Sequence, residues 1–172
     1  FLREWHSPLT VINYILMGGS SGFILASFYA SYAAPDQADF FAGWAIIITL
    51  LAFAGRWASL VRNARLKPKS TIQTAIGVKH PHIVQRSMGS MGGSFNTREF
   101  FHGKNPAFMR LIKPTFLLLA FVAPLALLAL GLFTPALLGV AFILQYIGLL
   151  AERWFFFAQA NHPQNLYYQT IG

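Results

Sequence analysis

Long stretches without a single charge decide what this chain can fold into. A hydrocarbon core about 30 Å thick is crossed by roughly 20 residues of helix, and in lipid a spanning backbone must satisfy its own hydrogen bonds, which leaves helices or closed barrels. Residues 9–34 carry no charged side chain and end at Pro35, beside Asp36 and Asp39, a turn that helices rarely continue through. Residues 38–61 form a second run with Arg56 near its end, where a long side chain is expected to snorkel toward the headgroups. The uncharged tract 114–151 is too long for one crossing, and Gly131 and Pro135 bracket a break that gives spans 114–133 and 135–156. The expectation is an all-α membrane protein with four transmembrane helices. A lead-in (1–8), a basic loop (62–113) and a tail (157–172) account for the rest. Pro124, inside the third span, is expected to kink it. The first residue is Phe1 and not Met, which reads as a start partway through a longer protein.

Charge placement orients the spans. Of the 13 Lys and Arg, all but Arg3 and Arg153 lie from Arg56 to Lys113, so the positive-inside rule puts the loop between the second and third spans in the cytoplasm. Arg3 and Arg153 fall on the same side in a four-span arrangement, and the opposite turns hold acidic residues or none. Both ends of the segment are thus expected inside. The formal net charge of +8 does not argue for nucleic acid, because only 10% of residues are charged and the basic ones sit between apolar runs.

There are no cysteines, which excludes disulfides, thiolate-bound zinc and iron–sulfur ligation by this chain. The five histidines, His6, His80, His82, His102 and His162, lie outside the spans or at their margins. A transmembrane haem b usually takes two histidines from helix interiors, so haem is disfavoured and no metal site is expected. His6, His102 and His162 remain candidates for an interfacial haem.

Gly18, Gly19 and Gly22 in the first span form a small-residue pattern that reads as helix packing. Trp5, Trp44, Trp57, Trp154 and residues 155–157 read first as an interfacial aromatic belt, and equally as material for a quinone pocket. Polar residues within or beside the spans are few. Asn13 and Tyr14 sit one turn inside the first, Gln145 and Tyr146 lie within the fourth, and Glu152 and Arg153 close it. That last pair either marks the interface or exchanges protons with a quinone oxygen. The loop combines glycines, basic residues and Phe95, Phe100, Phe101, Met88 and Met91, which favours a docked protein partner over a lipid-headgroup anchor.

The strings STIQTAIGVKHP, GGSFNTREFFHG and AERWFFFAQANHPQNLYYQ resemble the membrane anchor subunit of dimethyl sulfoxide reductase-type molybdoenzymes, closest to the branch in sulfite:quinone oxidoreductases. The resemblance implies an eight-helix bundle of which this chain is the second half, held in the bacterial inner membrane. It also implies two partners: a catalytic subunit with molybdopterin and an iron–sulfur cluster, and an iron–sulfur electron-transfer subunit. Those cofactors would belong to the partners alone. The quinone, ubiquinone or menaquinone, would be bound here, and the candidate residues are His6, Asn13, Tyr14, Arg98, His102, Glu152 and Arg153. Arg98, Phe100, Phe101 and His102 are the candidate dock for the iron–sulfur subunit. Two other readings stand beside this one: a structural anchor without a quinone site, and a transporter subunit.

Overall fold

The computed structural model describes residues 2–67, 71–80, 82–83, 105–131 and 134–160. The regular elements among them are all helical: α1 (Pro8–Ala33), α2 (Pro35–Ala64), a short α3 (Ile72–Ile76), α4 (Pro106–Leu117), a π-helical turn (Leu118–Val122), α5 (Ala123–Gly131) and α6 (Pro135–Ala158). α4, the π turn and α5 run on as one rod, so four helices are long and apolar enough to cross a membrane. Each rod begins on a proline, at Pro8, Pro35, Pro106 and Pro135. The missing N–H costs nothing in a first turn, whose donors have no helical partner, and the fixed φ suits helix entry. Ser7 and Asn105 supply side-chain caps to Leu9 and Ala107.

Apolarity does not say which face of such a helix turns inward, since lipid is as apolar as the core; close packing of small and polar residues does. The buried positions include Asn13, Met17, Ser20, Ile24 and Ser27 on α1, Ala42, Ala45, Thr49, Ala52, Arg56 and Ser59 on α2, and Leu138, Ala141, Gln145, Gly148, Glu152 and Phe155 on α6. Steps of three and four alternate along all three, the spacing of helices that wrap closely at a shallow angle. α1 packs along α2, and α6 fills the groove between α1 and the α4–α5 rod. Three apolar layers result, with Ile24, Ala45, Leu128, Leu138 and Ala141 at one end, Met17, Ala52, Ala120 and Phe121 in the middle, and Leu60, Phe116 and Phe155 at the other.

Between the layers lies a polar tie at the π turn. Pro124 has no N–H to offer the carbonyl of Ala120, four residues back, so that carbonyl needs another donor. Gln145 supplies it from α6, with Nε2 3.3 Å from Ala120 O and 2.7 Å from Ser20 Oγ. The single Thr49 hydroxyl hydrogen goes to Ala45 O at 2.6 Å, so Ser20 is the donor in its 2.6 Å bond to Thr49. Gly148 lets α6 approach this turn, because a Cβ there would overlap the backbone of Leu119 and Ala120.

Three expectations are corrected. Arg56 does not snorkel; it is 2% exposed and points into the bundle. The third rod starts at Pro106, with Pro114 inside it, so residues 106–113 belong to a helix and not to the loop. Gly18 and Gly22 do not pack within this bundle, since a Cβ at either would meet nothing within 4 Å, and only Gly19 faces a neighbour, Ile48.

Candidate functional site

At the end of the bundle where α1 begins and α2 and α6 finish, three charged side chains meet. Arg56 Nε lies 2.6 Å from Glu152 Oε1. Arg153 takes the other carboxylate oxygen, Oε2, through Nε at 2.5 Å and through Nη2. Glu152 is fully buried and Arg153 is 24% exposed. Two cations share one carboxylate, so the cluster carries a net positive charge in an environment where uncompensated charge is costly and marks function by default.

Aromatic faces spread that charge. The Arg153 guanidinium carbon lies 3.9 Å from the centre of the Tyr14 ring and 5.0 Å from that of Phe156. Arg56 sits 5.7 Å from Phe116 and 5.8 Å from Phe156. At these distances the ring quadrupoles attract the guanidinium groups. Tyr14 is 42% exposed, so its other side faces out of the bundle.

Asn13, one position before Tyr14, turns inward and is buried. Its Nδ2 donates to Ser59 Oγ at 2.8 Å and to Gly55 O at 3.3 Å, and Gly55 is required there because a Cβ would strike Asn13 Oδ1. Asn13 Oδ1, Arg56 Nη2 and Arg153 Nη1 are buried without a hydrogen-bond partner among the described residues. Asn13, Arg56 and Arg153 line one narrow cleft with Tyr14, Ser59 and Phe156, and Glu4, Ser7, Arg62 and Asn63 also contribute to it. Its volume is about 10 Å³, room for one water molecule and far less than a ring needs.

The lead-in is pinned across this end. Trp5 Nε1 donates to Phe156 O at 3.1 Å, and Arg62 Nη2 donates to the carbonyls of Arg3 at 3.0 Å and His6 at 3.3 Å. Counting residues from the helix ends, Asn13, Arg56 and Glu152 lie roughly 8 to 12 Å inside the bundle.

The structure therefore gathers Asn13, Tyr14, Glu152 and Arg153 into one site. His6 stands exposed on the lead-in, joined to the cleft through Arg62. Arg98, Phe100, Phe101, His102 and His162 lie outside the described residues. Reading Glu152 with Arg153 as a simple interface marker fails for Glu152, which has no exposed surface. The residue missed from sequence is Arg56. Its signal was present: a cation within one span and a carboxylate at the margin of another are natural partners in lipid. Among the described residues no three His, Cys, Asp or Glu side chains are grouped to hold a metal ion.

Against known proteins, the chain is 50% identical over 174 aligned residues to one of the subunits of the sulfite dehydrogenase of Allochromatium vinosum. The match covers all of this chain and 54% of that protein, so the chain spans about half the length of its curated relative. No family profile matches. No solved structure matches.

Proposed function

From this similarity to a sulfite dehydrogenase component along the entire chain, we infer that the protein is a membrane anchor of a sulfite-oxidising complex and that electrons leave the complex to quinone at the loop end of this bundle. Sulfite and water give sulfate, two protons and two electrons; quinone takes up two electrons and two protons to become quinol. The first half of that reaction falls to a molybdopterin subunit, and an iron–sulfur subunit brings the electrons to the membrane. With no cysteine, this chain contributes no cluster ligand. Tunnelling requires the acceptor near the last cluster, so the quinone head belongs at the loop end and not at mid-membrane.

The observation that carries the quinone assignment is the buried Arg56–Glu152–Arg153 cluster with its net positive charge, whose partly exposed Arg153 lies over the ring of Tyr14. A quinone gains negative charge as it is reduced, and a fixed positive charge held in a low-dielectric site stabilises that charge strongly. The cleft is too small for the ring, so the ring lies outside it, against the exposed face of Tyr14 and the rim of Arg153. Glu152 holds Arg153 in register, and Arg56 holds Glu152.

The test compares sulfite oxidation linked to quinone with sulfite oxidation linked to an artificial acceptor that bypasses the membrane, in the purified complex. Glu152→Gln and Tyr14→Phe should lower the first by roughly tenfold or more and spare the second. Full quinone-linked turnover in both variants would make this bundle a scaffold and move the quinone site elsewhere in the complex.

A further inference from the structure

We propose that the cleft between α1, α2 and α6 is a built site for one ordered water molecule, which completes the hydrogen bonding of Asn13 and the two arginines and thereby fixes Arg153 over Tyr14. The inventory of groups selects this ligand. A buried polar atom without a partner is costly, and beside Arg56 Nε, which is ion-paired with Glu152, three such atoms belong to residues lining this one cleft: the acceptor Asn13 Oδ1 and the donors Arg56 Nη2 and Arg153 Nη1. Rotating the Asn13 amide does not remove the demand for a donor. Nδ2 is held by Ser59 Oγ and the Gly55 carbonyl, and exchanging the amide atoms would set an oxygen against that carbonyl.

The ligand must therefore accept from guanidinium and donate to an amide oxygen at once. A halide or other simple anion would satisfy the arginines but could only repel Asn13 Oδ1. Water does both, and buried waters typically make two to four such bonds in a volume of this size. Two hydrogen bonds from the arginines and one to Asn13 would join α1, α2 and α6 at a single point. Arg153 gains most, because its charged partner Glu152 is shared with Arg56 and its other contacts are the Tyr14 and Phe156 rings and the sulfur of Met17.

The consequence for function rests on the quinone reading above; the site itself does not. A high-resolution map of the intact native complex should show a single rounded peak within about 3.2 Å of both Asn13 Oδ1 and a guanidinium nitrogen. An empty cleft overturns the proposal, and so does a peak that contacts the arginines but stands off from Asn13 Oδ1. Asn13→Leu fills the cleft and removes the acceptor. With Arg153 loosened, KM for quinone should rise roughly tenfold while turnover with the artificial acceptor holds. If Asn13→Leu leaves KM unchanged while Tyr14→Phe raises it, the positioning role fails and the quinone site stands. If neither variant nor Glu152→Gln affects quinone-linked kinetics, it is the quinone reading that fails. The map uses the native protein, so the water site is decided even if the variant does not assemble.

Discussion

Arg56 illustrates how a single residue in lipid differs from the same residue in water. Near a helix end its long stem allows it to reach the headgroups, and sequence alone favours that outcome. What overrides it is Glu152, a carboxylate on another helix at matching depth, since a buried charge is tolerated when it is paired and hydrogen-bonded. Removing the shared carboxylate should therefore harm more than removing one of its two cations. Glu152→Leu alone is expected to cost about 3 kcal/mol or more by stranding the buried Arg56, Arg56→Met should cost less because Arg153 still pairs with Glu152, and the double substitution should cost less than the sum, with a coupling of about 0.5–3 kcal/mol. Thermal denaturation of the detergent-solubilised complex measures all three; strict additivity would mean that the pair does not couple. The identities of Asn13, Tyr14, Glu152 and Arg153 were legible from polarity within apolar runs. Their division into roles was not, because adjacent residues such as Asn13 and Tyr14 point to different sides of the same helix.

The elements themselves were legible for the same reason that they exist. Charge-free runs and prolines fix where helices lie and start, whereas the inward face leaves only a faint trace in a chain whose outer face is equally apolar. Gly18 and Gly22 drew attention as small residues, yet the inward stripe of α1 runs through Asn13, Ser20 and Ser27. The three-and-four spacing of small and polar residues on α1, α2 and α6 was the better guide. Pro124 was legible as a disturbance, but not how it is absorbed, since its partner Gln145 comes from another rod. Giving position 124 an N–H should release that demand. Gln145→Leu alone is expected to destabilise by about 1–2 kcal/mol, and in a Pro124→Ala background by less, because Ala120 O then has a helical donor. Equal losses in both backgrounds, followed by thermal denaturation, would show that Gln145 matters only through Ser20.

At the scale of the whole molecule the decisive quantity is the distribution of basic residues. Docking is the first consequence: Arg98→Ala with Phe101→Ala should release the soluble subunits from membranes during fractionation, and retention at normal yield would place the dock elsewhere. Orientation is the second, and it underlies both the docking and the quinone reading. Lys and Arg in short connections resist transfer across the membrane during insertion, whereas acidic residues matter little. Here the connection between α2 and α4 carries the bulk of the cations, while the start of α2 carries Asp36 and Asp39 and the turn between α5 and α6 carries no charge. An even number of spans then returns the tail after α6 to the same side as the lead-in. These 172 residues hold no cysteine, so Ser90→Cys introduces a thiol into a loop that has none, outside the described residues. A membrane-impermeant maleimide should leave that thiol unmodified in intact cells and label it after permeabilisation. Labelling in intact cells would place the loop outside, and with it the arginine cluster, separating this end of the bundle from any cytoplasmic iron–sulfur partner.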